Sequence, residues 1–143
     1  MSNKSPEAIA RSLFDSLETG DFSTWEAMLA PDFTASYPGL RGSRSKAEAL
    51  AFNKVFPVAF PNLEFTVTGS ARSGDVVYLS ISCTATHLGP LVSPQGTIPP
   101  SGRTGKITAV AVVTIRDGKI HREETYWNIP DLIEQITDMQ AAA

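Results

Sequence analysis

The chain has 143 residues, 42% of them hydrophobic and 19% charged, with a formal net charge of −3. That length and balance suit one globular domain whose core needs no disulfide or metal staple, and the negative charge speaks against nucleic acid as a partner, since phosphate binding needs a basic surface. Cys83 is the single cysteine, so neither an internal disulfide nor a cysteine zinc site is available to it, and the absence of a long apolar run or an apolar leader points to a cytoplasmic protein without a membrane partner.

The first predicted helix is capped by Ser5, has Pro6 at its first position and stops at Gly20; Ile9, Leu13, Phe14 and Leu17 form its apolar stripe. A short second helix, with Ser23 as its cap and Trp25, Met28 and Leu29 as its buried face, is expected to close at Pro31. Phe33, Ala35 and Tyr37 alternate as a short strand that Pro38-Gly39 breaks. Ser45 to Glu48 is a capping-box pattern opening a helix to about Phe56, after which Pro57 and Pro61 predict a connector containing Phe60.

From Leu63 the period changes to two. Leu63, Phe65 and Val67 alternate with polar residues, Arg72 to Asp75 turns the chain, and Val76 to His87 reads as a long strand. Its odd-numbered residues, including Leu79, Ile81 and Cys83, face the core, which brings His87 to the rim of whatever that core encloses. Leu88 to Gly105 is dense in Gly and Pro and is expected to be a loop without secondary structure that covers a pocket mouth; a disordered tip is the competing reading. A final helix is predicted near Asp131 to Met139, with Asn128 as its cap.

Between them, Ile107 to Asn128 reads as a hairpin turning at Asp117-Gly118. Its return strand is polar on both faces, so some titratable groups must point inward. A two-residue turn pairing Ile115 with Ile120 puts Arg122, Glu124 and Tyr126 on the face of Ala111 and Val113. A three-residue turn with a bulge puts His121, Glu123, Thr125 and Trp127 there instead, because one residue of slip reverses every side chain. The pattern leaves both open. Helices followed by long antiparallel strands imply an α+β fold in which a curved antiparallel sheet wraps the N-terminal helices, and the small Ala109 and Ala111 leave room for an internal pocket.

Three pieces of this chain resemble the SnoaL-like polyketide cyclases of the nuclear-transport-factor-2-like superfamily. Thr86-His87-Leu88-Gly89 is similar to a Thr-His-x-Gly strand end, and Pro100-Ser101-Gly102-Arg103 to a Pro-Thr-Gly-Arg loop. Asp117 to Ile120, Trp127-Asn128 and Gln135-Ile136 are similar to the family's ending. The resemblance implies a single cone-shaped domain with a deep apolar pocket, assembled as a homodimer or larger, and a metal-free aldol closure by an Asp five residues after the Ile of Asp-Gly-Lys-Ile. Here that position is Thr125, a His nine residues before the same Ile is replaced by Ala111, and the aromatic-Asp position is Asn128. The analogy favours the register with Glu123 inward.

The catalytic candidates are therefore Glu123, as a base whose pKa a pocket would raise, with His87 and Tyr37 as hydrogen-bond donors. Each has a plainer reading: Glu123 as a solvated partner of Arg122, Arg116 or Lys119, His87 as a bonded strand-end residue, Tyr37 as core. His121, near the turn, reads as exposed. Thr125, Trp127, Ala111, Phe52, Phe56, Leu17 and Cys83 are the expected pocket wall. No metal signature, nucleophile elbow or phosphate loop is present, and no cofactor is expected. The sequence thus points to a cofactor-free cyclase, isomerase or related lyase or hydrolase for a small apolar carbonyl compound such as a polyketide or terpenoid, or to a non-catalytic ligand-binding or dimerisation module of the same fold.

Overall fold

The computed structural model describes residues 5–38, 40–93 and 96–137; Gly39, Met139 and positions 94 and 95 of the expected Leu88 to Gly105 loop lie outside them. The elements are α1 (Pro6–Thr19), α2 (Phe22–Ala27), β1 (Leu29–Ser36), β2 (Arg44–Ser45), α3 (Lys46–Ala59), β3 (Glu64–Ser73), β4 (Val76–Thr86), β5 (Leu91–Ser93), β6 (Gly96–Ile98), β7 (Thr104–Arg116), β8 (Lys119–Trp127) and α4 (Ile129–Thr137). Six strands form one curved sheet in the order β2-β1-β8-β7-β4-β3, and β5 and β6 form a separate hairpin. Each neighbouring pair is antiparallel except β1 and β8, which run parallel. These two strands are far apart in sequence, so no hairpin constrains their direction.

Local chemistry sets most boundaries. Ser5 accepts from the Ala8 amide and Gly20 ends α1 at φ 76°, where a side chain would be strained. The capping box at Ser45 and Glu48 opens α3. Three boundaries differ from expectation, the third because α2 ends at Ala27 and Leu29, expected on its buried face, already opens β1. The cap of α2 is Asp21, whose carboxylate accepts from the Thr24 amide, and Ser23 donates to that carboxylate instead. Pro57 lies inside α3, which runs on to Ala59. Having no N–H, Pro57 removes one rung at the Asn53 carbonyl, and the turn is held beyond it by the Phe60 amide donating to Phe56 O at 2.7 Å. Pro31 likewise falls inside β1, in the stretch where the ladder to β8 is irregular, so its missing donor breaks no rung there.

Curvature comes from inserted residues. In β3, Thr68 is unpaired between Val67↔Ile81 and Gly69↔Ser80. In β8, Ile115↔Ile120 is followed by Thr114↔Arg122, leaving His121 as the extra residue. The turn is the two-residue kind, with Asp117 at φ 53° and Gly118 at φ 74°, yet the bulge after it restores the register in which Glu123 and Thr125 lie opposite Val113 and Ala111. The two alternatives of the sequence are thus combined.

Two apolar clusters fill the concave face. One joins Leu13, Phe14 and Leu17 of α1 to Leu79 and Ile81 of β4 and Ala111 and Val113 of β7. The other gathers Ala59, Phe60, Leu63, Cys83, Ala85, Leu91, Leu132 and Ile136. Helix α4 is clamped to β7 by Gln135, whose side-chain amide accepts from Lys106 N–H and donates to Lys106 O. Strand β8 ends at Trp127, opposite Ala109, so this one side chain supplies the hydrogen bonds that a continuing strand would have made.

The segment after β4 is not a structureless loop: it contains the β5–β6 hairpin, and Leu91 is buried in the second cluster. Its root is fastened to α3, since the Leu88 and Gly89 amides both donate to Ala59 O at 3.0 and 3.1 Å. A Cβ on Gly89 would lie 2.0 Å from Val58 O. Gly89→Ala is expected to lower unfolding stability by roughly 1–3 kcal/mol, the usual cost of overpacking, read as a lower midpoint in chemical denaturation.

Candidate active site

Between the two clusters the core does not close. The space left encloses about 90 Å3, walled by aromatic and aliphatic side chains from α1, α3, β3, β4, β7, β8 and α4. The polar side chains on that wall, apart from the thiol of Cys83, are Tyr37, Asn53, Glu123 and Thr125, and they touch one another. Tyr37 Oη donates to Glu123 Oε1 at 3.0 Å, Thr125 Oγ1 donates to Glu123 Oε2 at 2.8 Å, and Asn53 Nδ2 donates to the Tyr37 oxygen at 2.9 Å. The other hydrogen of Asn53 Nδ2 is committed to Ala49 O at 2.8 Å, which fixes the amide's orientation.

Each member is placed by ordinary strand and helix geometry. Glu123 and Thr125 are one pleat apart on β8 and share a face. Tyr37 continues the inward alternation of Phe33 and Ala35, and its ring stacks on Phe52 with centroids 4.3 Å apart. Asn53 stands on α3 next to Phe52, on the turn that Pro57 interrupts.

Glu123 is 2% exposed. Burial raises its pKa above the usual carboxylate range, and the hydrogen bonds from Thr125 and Tyr37 offset part of that rise. Burial, and then the Glu123 carboxylate, hold the Tyr37 phenol far above its ordinary value, so it stays a neutral donor. A carboxyl group in an apolar chamber, held by neutral donors, is equipped to move a proton to or from carbon.

The wall residues expected from the sequence, Leu17, Phe52, Phe56, Cys83, Thr125 and Trp127, all line this space. Burial pushes the Cys83 thiol up to about 12, which suits filler rather than a nucleophile. Ala111 does not line it: the residue is fully buried in the first cluster, and Ala109 and Ile107, nearer the open end of β7, take that place.

His87 also stands apart from the chamber. Its ring is fully buried against Phe60, with centroids 5.5 Å apart, and it is not among the lining residues. The Ser101 amide donates to Nδ1 at 3.2 Å, which places the neutral ring's proton on Nε2. Ser101 Oγ lies 3.1 Å from Nδ1, and the main chain of His87 pairs with Arg103 O and Gly102 N, both at 2.8 Å. The Pro100-to-Arg103 motif is thus a turn folded onto His87, and the histidine closes the β5–β6 segment. His121, the bulged residue, turns to the rim, where Nδ1 lies 3.3 Å from Asp32 Oδ1. Asn53 is the residue that the sequence reading missed; a lone amide on the stripe of Ala49, Phe52 and Phe56 was its only signal.

No curated protein matches the chain. Among solved structures it is similar to a SnoaL-like candidate polyketide cyclase from Jannaschia sp. CCS1, with 23% identity, a TM-score of 0.81 and coverage of 96% of this chain and 98% of the other. It is also similar to IdmH, a candidate polyketide cyclase from Streptomyces antibioticus, with 24% identity, a TM-score of 0.78 and coverage of 92% and 98%. AclR, a candidate hydroxylase from Streptomyces galilaeus, aligns at 22% identity and a TM-score of 0.80 over 94% of this chain and 82% of its own. At these identities the likeness concerns the fold. The family model for SnoaL-like polyketide cyclase matches residues 7–138, nearly the whole sequence, and by that measure the chain belongs to the SnoaL-like polyketide cyclase family.

Proposed function

We propose that this protein is a cofactor-free acid/base enzyme that removes a proton from carbon next to the carbonyl of a small apolar substrate, such as a polyketide or terpenoid, leading to cyclisation or isomerisation. The observation that carries this reading is the Glu123 carboxyl, fully buried on the wall of an apolar chamber and held by two neutral hydroxyl donors. In the proposed step the C–H bond breaks, its electron pair enters the enolate and the proton passes to Glu123. As the carboxylate is neutralised its hold on Tyr37 weakens, and the phenol, still anchored by Asn53, turns its proton to the enolate oxygen. Return of the proton to a different carbon gives an isomer, and attack of the enolate on a second carbonyl gives a ring. Thr125 keeps the carboxylate oriented in this scheme, and His87 serves the fold of the segment beside it.

The expected homodimer is supported by Tyr78, Val110 and Tyr126, large apolar or aromatic side chains exposed on the outer face of β4, β7 and β8, where Val110 and Tyr126 are direct partners. Val110→Lys is expected to convert the dimer to monomer, measured by size-exclusion chromatography with light scattering.

The catalytic reading is tested with 2-acetylnaphthalene in D2O, following loss of its methyl proton signal by NMR. The protein is expected to accelerate exchange, with a rate that rises with pH as Glu123 ionises. Glu123→Gln is expected to lower the rate by about 10²–10⁴-fold, the contribution of a positioned base, with little change in affinity. Tyr37→Phe should leave part of the activity. Binding without any exchange would point to the ligand-carrying alternative.

The same group carries a stability cost with a definite sign. A folded-state pKa above the unfolded value means that the native protein binds the extra proton, so this contribution is present below the unfolded pKa and is lost as pH rises through the folded one. Glu123→Gln is therefore expected to melt a few degrees higher than wild type at pH 8, with the gap shrinking towards pH 4, by thermal denaturation.

A further inference from the structure

His87 is fully buried and is held by a hydrogen bond that only its neutral ring can make. The Ser101 amide donates to Nδ1 at 3.2 Å, so Nδ1 must keep its lone pair. The proton then sits on Nε2, which is buried without a hydrogen-bond partner. The surroundings are neutral. Phe60, just past the end of α3, packs on the ring with centroids 5.5 Å apart. The turn of Ser101, Gly102 and Arg103 meets the residue through main-chain atoms and the Ser101 hydroxyl. Among the described residues no ionised side chain acts on the ring. Burial holds its pKa below the ordinary histidine value, and the Gly89 main chain offsets part of the drop.

The same residue is the crossing point of the β5–β6 segment. Its N–H donates to Arg103 O and its carbonyl accepts from Gly102 N–H, both at 2.8 Å, which ties it to the second root of the segment. The first root, Leu88 and Gly89, follows directly in the chain and donates both amides to Ala59 O. The geometry points to His87 as an acid-sensitive latch: a proton added to its ring breaks the Ser101 contact, parts the two roots and loosens their hold on the end of α3. Once Nδ1 carries a proton, it and the Ser101 N–H face each other as two donors. Ser101 Oγ, 3.1 Å away, can accept the new proton only as the amide beside it turns out. The charged ring lies against Phe60 with no carboxylate to meet, so it has to reach water. The sign follows from linkage. The opened ring has the ordinary pKa of about 6.5 and the closed ring a lower one, so the open form binds more protons. The latch is therefore intact above the ordinary value and weakens as pH falls from there towards the closed one. Leu91, carried between the roots into the second cluster beside Leu132 of the chamber wall, is what such an opening withdraws. Acid thus loosens the backing of the chamber through a group other than Glu123, whatever Glu123 does.

The test is amide hydrogen exchange followed by NMR on the full chain between pH 7.5 and pH 5, corrected for the intrinsic effect of pH. Protection of the Leu88, Gly89, Ser101 and Gly102 amides is expected to fall below the ordinary histidine pKa by up to about tenfold per pH unit, the limit for uptake of one proton. The centre of β4 and β7, around the Leu79–Ala111 pair, is expected to keep its protection. The ring nitrogen signals of His87 should show the proton on Nε2 at pH 7.5 and titrate over the range in which the amides open. His87→Asn, whose side-chain oxygen takes the place of Nδ1 and does not titrate, is expected to abolish the pH dependence. His121→Gln, at the other of the two histidines, is expected to preserve it. If His87→Asn does not fold, coincidence of ring titration and amide opening in His121→Gln decides the matter. Protection that does not fall, a fall shared equally by β4 and β7, a neutral ring with its proton on Nδ1, ring titration apart from amide opening, or an unaltered pH dependence in folded His87→Asn would overturn the proposal.

Discussion

Between the Asp117-Gly118 turn and the chamber, β8 carries one residue more than β7, and the direction of every side chain beyond it follows from that surplus. Ile120 faces the core and so does Glu123, three residues later, which a regular strand with a period of two forbids. His121 absorbs the difference at the rim beside Asp32. Without it Arg122 and Glu124 would be driven inward, and the outer network they form with Thr34, Ser36 and Tyr126 would be lost. The bulge thus sets both the chemistry inside and the solvated face outside.

The remainder of the molecule keeps the chamber open. Two apolar clusters pack the concave face, with Phe65 against both and Phe52 meeting Phe56 between them, and in the space left over Tyr37, Asn53, Thr125 and Glu123 satisfy one another. Burying a carboxylate this fully without partners would be prohibitive, and the three neutral groups spread the cost over β1, α3 and β8.

Much of this was legible in the residues. Caps, turns and alternation located the helices and long strands, because each rests on local chemistry. On β1 and β4 alternation also told which side of the strand each residue occupies, whereas on β8 it left both faces open. What it could not tell is depth along the strand. Ala111 and His87 both face inward as expected, yet one is sealed in the first cluster and the other is wrapped by the Ser101 turn, neither on the chamber wall. The His121 bulge was hidden for another reason: a strand polar on both faces carries no apolar beat from which a missed step shows. Asn53 was invisible because one amide in a helical stripe looks like a surface residue until the opposing Tyr37 is in place.

The absent rung at Pro57 has a mechanical consequence. Ala59, at the end of α3, holds the Leu88 and Gly89 amides, while the helix leading up to it lacks the bond that would tie residue 57 to Asn53. The final turn of α3 is thus coupled to the root of the hairpin segment across the chain and is one bond short of its own helix. That turn therefore takes from the hairpin root part of the hold that an unbroken helix would supply from within.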